Sequence, residues 1–181
     1  VPGLLIISSF TQAQQEELCY TEVDQGHTCD TAKPGLRYFY DATTNSCWPF
    51  LYKGCGGNKN NYKSDTDCLI RCMFMDGGLH CAGRRPETGL CNNKGQACPE
   101  GSICKYGLFG SSANGICCDS ETEEQYRKER NPVCDNDKVL LKTRDSTGWV
   151  PFLGKKCSHE FCPEGADCVE GKWFSHCCES A

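Results

Sequence analysis

Eighteen cysteines in 181 residues constrain this chain more than any other feature. That density marks a disulfide scaffold made for an oxidising compartment, and the even count allows nine bridges with no thiol left over. The cysteines fall into three groups of six separated by cysteine-free gaps: Cys19, Cys29, Cys47, Cys55, Cys68 and Cys72; Cys81, Cys91, Cys98, Cys104, Cys117 and Cys118; Cys134, Cys157, Cys162, Cys168, Cys177 and Cys178. With 38% hydrophobic residues and 19 glycines, the apolar supply for one large core is thin. The grouping predicts several small stapled modules.

The second and third groups are related to each other. Cys98-Pro-Glu-Gly-Ser-Ile-Cys104 recurs as Cys162-Pro-Glu-Gly-Ala-Asp-Cys168, and both groups close on an adjacent pair, Cys117-Cys118 and Cys177-Cys178. We read a tandem repeat. Each Pro-Glu-Gly is a turn signal. Neighbouring cysteines cannot readily bridge to each other without strain, so each reaches a different partner. Six cysteines still allow about fifteen connectivities, and the sequence does not choose among them. The boundaries expected are a tail at 1–16, a first module at 17–75, repeats at 79–119 and 132–181, and a charged linker at 120–131. Glu121, Glu124, Arg127 and Lys128 would also suit a short helix stopped by Pro132, but a flexible linker is the plainer expectation. Residues 76–79 form a brief connection between the first two modules.

Other classes are disfavoured. The net charge is -5 and no basic stripe exists to neutralise phosphates, so nucleic acid is not an expected partner. The start, Val1 to Phe10, is apolar, with small residues near Ala13, and resembles the end of a signal peptide; secretion is expected. No stretch is long and apolar enough to span a bilayer, and no Asn-x-Ser/Thr acceptor occurs. Cys157, Cys162 and Cys168 with His159 and His176 have a zinc-like look, but disulfides are the better use of cysteines in this setting. His27, His80, His159 and His176 have no neighbouring nucleophile to activate, so no enzyme, metal or cofactor is expected.

In the first module, two aromatic-rich runs, Arg37-Tyr-Phe-Tyr40 and Cys47-Trp-Pro-Phe-Leu-Tyr52, flank a polar turn and predict a hairpin. Pro49 must sit where a strand N–H is not needed. Ser64, Asp65 and Asp67 open a helix on which Cys68 and Cys72 share one face. These features, with Gly26, Phe50, Gly54-Cys55 and Asn60-Asn61-Tyr62, resemble the Kunitz domain. The resemblance implies a small disulfide-rich multi-domain protein: a Kunitz α+β module, with central β-hairpin and C-terminal helix, plus two small cysteine-stapled modules. It also implies bridges Cys19–Cys72, Cys29–Cys55 and Cys47–Cys68. Closing Cys19 onto Cys72 would remove about 4 kcal/mol of unfolded-chain entropy in the loop-closure model. The later modules resemble the lustrin-type cysteine-rich repeats found beside Kunitz domains in secreted nematode proteins.

Function in the Kunitz family rests on a stapled loop around the second cysteine, which enters a serine protease active site like a substrate. The resemblance therefore implies contacts through Thr28, Cys29, Asp30, Thr31, Ala32 and Lys53. Three departures bear on the target. Asp30 stands where Lys or Arg would fill an acidic specificity pocket, and it would be repelled there. The loop is longer than usual on both sides of Cys29, and Lys53 replaces a glycine beside the fourth cysteine. Lys33, before Pro34, reads as a turn lysine and His27 as an exposed loop residue. The expected function is a Kunitz-type inhibitor whose target is not trypsin. The alternative is a non-inhibitory extracellular protein acting on a host receptor, an ion channel or the matrix. In either case the partner is an extracellular protein, a serine protease or a host receptor, and the chain is expected to be monomeric. A second candidate surface lies in the third module, where Trp149, Phe152, Leu153, Trp173 and Phe174 form either a small core or an exposed anchor.

Overall fold

The computed structural model describes residues 12–73, 79–107, 114–135, 137–145 and 148–180. The apolar start at 1–10 and most of the short connection at 76–78 lie outside them. Helix α1 (Gln12–Gln15) runs into a π-helical turn, Glu16–Tyr20, which delivers the buried Cys19. Strands β1 (Gly35–Asp41) and β2 (Ser46–Tyr52) form an antiparallel hairpin, and α2 (Asp65–Cys72) packs behind it. Ser64 caps α2 by accepting from Asp67 N–H at 3.0 Å. Cys68 and Cys72, one helical turn apart, bridge to Cys47 and Cys19, and Cys29 bridges to Cys55.

Pro49 is accommodated by register. It lies opposite Tyr38, whose N–H and C=O turn the other way and pair with Tyr62 at 2.9 and 2.7 Å. The absent proline N–H therefore leaves no carbonyl of β1 unpaired.

The two repeats share one bridge pattern. In each, the first cysteine joins the sixth, the second the fourth and the third the fifth: Cys81–Cys118, Cys91–Cys104 and Cys98–Cys117, then Cys134–Cys178, Cys157–Cys168 and Cys162–Cys177. In the first repeat, β3 (Gly89–Asn92) and β4 (Ser102–Lys105) flank β5 (Asn114–Asp119). The second repeat has β6 (Lys138–Leu140), β7 (Lys142–Asp145), β8 (Gly148–Pro151), β9 (Leu153–Gly154), β10 (Asp167–Glu170) and β11 (Ser175–Ser180). Registers coincide, with Cys104 opposite Cys117 and Cys168 opposite Cys177. The place of β3 is shared by β6 and β9, both on β11, while β7 and β8 pair with each other as an inserted ribbon.

The segment at 120–131, expected to be a flexible charged linker, is instead helical. Helix α3 (Ser120–Glu129) begins at Asp119, which accepts from Thr122 N–H at 2.8 Å. Glu124 pairs with Arg127 at i,i+3 and Lys128 at i,i+4; hydrogen bonding to Arg127 lowers the Glu124 carboxyl to about 2. Those pairs alone stabilise a short helix little. Contacts with both repeats hold it. Glu123 accepts from Ala82 N–H at 2.6 Å and pairs with Lys105 at 2.9 Å. Glu129 accepts from the backbone of Lys172, Trp173 and Phe174.

The hairpin alternates, and both its faces are covered. Tyr40 and Cys47 join Cys19, Tyr62, Cys68 and Cys72 beneath α2. Phe39, Trp48 and Phe50 point the other way and form a second core with Trp173 and Phe174 of the last module. Tyr126 of α3 closes that core against Trp173 and Phe174, at centroid distances of 5.8 and 4.8 Å. The modules are therefore fused through aromatic side chains.

Candidate functional site

The Kunitz loop is held at its base by backbone. His27 and Cys55 exchange hydrogen bonds of 2.8 and 3.0 Å, and the Cys29–Cys55 bridge spans Cα atoms 6.0 Å apart. Gly54, at φ +115°, lies so close to the loop that a Cβ would come within 2.7 Å of the Ala32 carbonyl oxygen. Thr31 Oγ1 sits 3.4 Å from the Cys55 sulfur. Thr28, Asp30, Thr31, Ala32, Lys33 and Pro34 are all exposed.

At its centre the loop is not extended. Cys29 and Ala32 form an antiparallel bridge, so the chain reverses across Asp30 and Thr31. A substrate-like segment must run extended through a protease cleft on both sides of the attacked bond. Here the chain instead reverses at Asp30 and Thr31. Asp30 projects from a turn.

Lys53, the residue in the glycine position, reaches out of the Kunitz module. Its ammonium lies 3.4 Å from the Glu160 carboxylate of the last module. Nearby, Gln25 bridges modules by donating to the carbonyls of Leu51 and His159, both at 3.2 Å, while accepting from Lys53 N–H. Glu160 occupies the left-handed region, φ 52°, as the cap of a 3-10 turn at Cys157–His159. The flank of the Kunitz loop is thus built from two modules. Nothing in the local pattern around Lys53 identifies this distant partner.

A cleft of about 280 Å³ follows the same joint, lined among others by Glu22, Asp41, Lys155, Lys156 and His159. Lys155 and Asp41 pair across it at 3.2 Å, both mostly buried. His159 is buried with its ring edge-on to Phe39 at 5.1 Å, and its Nδ1 has no hydrogen-bond partner among the described residues. Burial, aided by Lys156, pushes its pKa down; burial also lowers that of His176. For both groups the folded pKa lies below the unfolded value near 6.5, so the unfolded chain takes up protons first. Stability present above that value is then lost as pH falls through and below it. Thermal melts from about pH 7.5 to about pH 5.5 should show the midpoint falling, and His159→Phe should flatten that slope.

The third-module aromatics separate. Trp173 and Phe174 are 8% and 1% exposed and belong to the shared core, with Leu153 packed against it. Phe152 stacks edge-on to Phe161 at 5.6 Å. Trp149, on the inserted ribbon, is 70% exposed. These five side chains therefore do not form one surface, because the aromatic stripe of the hairpin covers two of them. Cys157, Cys162 and Cys168, considered above as zinc ligands, have their sulfurs in bridges.

A helix-backed hairpin closed by three bridges, presenting a loop stapled through its second and fourth cysteines, defines a non-catalytic inhibitor-type binding fold. The model of the Kunitz/bovine pancreatic trypsin inhibitor domain matches residues 18–73. A BPTI/Kunitz inhibitor domain-containing protein of Caenorhabditis elegans is 34% identical over 162 residues, covering 89% of each chain. The major allergen Ani s 1 of Anisakis simplex is 33% identical over 171 residues, covering 89% of this chain and 86% of its own. Human Kunitz-type protease inhibitor 1 is 35% identical over 122 residues, covering 65% of this chain and 22% of its own. The chain belongs to the BPTI/Kunitz family, with two further disulfide-stapled, β-rich modules after the Kunitz domain.

Proposed function

We propose that this is a secreted extracellular binding protein whose Kunitz module does not inhibit trypsin-like proteases. The observation that carries this reading is the reversal between Cys29 and Ala32, which puts Asp30 in a turn where an inhibitor presents an extended basic residue. Lys53, tied to Glu160, supports it by giving the loop a flank shared with another module. The binding edge is then Thr28 to Ala32 with Lys53, and its partner is an extracellular protein such as a receptor, an ion channel or a matrix component. The modules we assign are 17–75, 79–119 and 132–181, the last two as lustrin-type repeats. Among the described residues no helix is long and apolar enough to cross a membrane.

A panel of trypsin-, chymotrypsin- and elastase-like enzymes, with an acid-preferring serine protease, tests this. With bridges intact, we expect no inhibition at about micromolar protein. Asp30→Lys alone should improve trypsin binding by less than about tenfold, because the turn remains. Nanomolar inhibition of any panel member by the unaltered protein, with its active site blocked, would restore the inhibitor reading.

A further inference from the structure

The inserted ribbon of the last repeat has two edges of unequal character. Phe152 N–H donates to the Leu141 carbonyl at 2.9 Å, which fixes the alternation along the pair. From there Thr143 faces Val150 through ladder hydrogen bonds. Lys142 and Arg144, opposite Pro151 and Trp149, turn their backbone groups outward. On the β8 edge Pro151 has no N–H to offer, which blunts pairing there. On β7 all four residues are exposed, and among the described residues no backbone group of another element pairs with the outer side of Lys142 or Arg144. Because side chains alternate, Lys142, Arg144, Trp149 and Pro151 share one face, with the guanidinium-bearing residue directly across from the indole.

We propose that the free edge of β7 takes up an extended acidic segment of an extracellular protein as an added strand. The segment's main chain pairs with Lys142 and Arg144. Its acidic side chains, two residues apart, meet the ammonium and guanidinium groups on the face that also carries Trp149, and the residue between them turns to the face of Thr143 and Val150. The two basic residues disfavour pairing of this edge with a second copy of itself, because like charges would be brought together. The net charge of -5 opposes attraction to an anionic membrane as a whole, while one locally cationic strand still selects an acidic strand. This inference rests on the reading of the chain as an extracellular binding protein. It is independent of what the Kunitz loop does.

Trp149 supplies the readout, because Trp48 and Trp173 are 5% and 8% exposed and respond little to surface binding. The probe is a short end-blocked peptide alternating Glu and Val, titrated into the 181-residue chain with bridges intact. A saturable change in Trp149 emission is expected, with the Lys142 and Arg144 amides protected from exchange. A peptide alternating Lys and Val should give no response. Combined Lys142→Glu and Arg144→Glu should invert this preference, so that the lysine peptide binds and the glutamate peptide is at least about tenfold weaker. Equal responses to both peptides, no response to either, or a shift only with anionic phospholipid vesicles would each overturn the proposal. Failure in this titration leaves the protease-panel result untouched, so the two readings fail separately.

Discussion

Phe174→Ala should lower the melting midpoint by about 10 °C, the largest loss expected from any single truncation outside the bridges. The side chain is 1% exposed, at the point where three parts of the chain meet. Trp48 of the Kunitz hairpin lies 4.9 Å from it, Tyr126 of α3 lies 4.8 Å from it, and Arg130 caps its face at 5.5 Å. Removing a buried phenylalanine costs about 3–5 kcal/mol when neighbours cannot collapse, and these neighbours are pinned by bridges and by the hairpin register. The loss should be felt across modules. Hydrogen exchange should rise at Phe39 and Trp48 as well as around β11, although the Kunitz bridges remain closed. Trp149→Ala, on the exposed ribbon, serves as the control and should stay within about 0.5 kcal/mol of the parent. A Phe174→Ala protein that melted like that control would mean the hairpin and the last repeat fold without each other's help.

Much of the fold was legible because cysteine spacing and turn residues act locally. The helix carrying Cys68 and Cys72, the hairpin around residues 42–45 and the kinship of the repeats all follow from patterns within short windows. The alternation in Arg37-Tyr-Phe-Tyr40 also contained more than a core assignment: aromatic residues on both hairpin faces require two coverings, and α2 supplies only one. What remained hidden depends on long-range partners. Glu160 completes Lys53 from more than a hundred residues away in sequence, and no window around either residue records the pairing. Segment 120–131 misled for a related reason. Its composition is that of a solvated linker, because it has no fully buried residue and owes its order to Tyr126 and to carboxylates that reach other modules.

The loop itself shows the same division. Sequence placed an acid and additional residues around Cys29, and those facts weaken a trypsin-like target without saying what shape the insertion takes. Its shape is a reversal between Cys29 and Ala32. A longer loop can satisfy itself by turning back, whereas a short stapled loop has no slack and must stay extended. On the function proposed above, loop length acts together with the identity of Asp30 to keep this module out of a trypsin-like cleft.

Glu129→Ala should be the most disruptive change on the surface of α3, although the residue looks like one more solvated glutamate. Its carboxylate accepts from three successive backbone N–H groups: Lys172 at 3.1 Å, Trp173 at 2.6 Å and Phe174 at 3.1 Å. These groups lie at the β10–β11 turn, where strand pairing has ended and no carbonyl is positioned to receive all of them. A Cβ on Gly171 would stand 2.7 Å from the same carboxylate, so the turn closes tightly on Glu129. Alanine leaves the Trp173 and Phe174 donors partly buried without a partner. At about 1–3 kcal/mol for each of these two donors, discounted because both are only partly buried, the expected loss is about 2–4 kcal/mol. Glutamine keeps one carbonyl oxygen but loses the charge that strengthens each bond, and should recover about half of it. Glu124→Ala removes a carboxylate that pairs only along the helix surface, and should change the midpoint very little. Amide exchange distinguishes a clamp from a general loss of helix. Protection should fall at Trp173 and Phe174 in Glu129→Ala while that of β10 and β11 persists. If those two amides kept their protection, α3 would be a spacer and the aromatic core alone would join the modules.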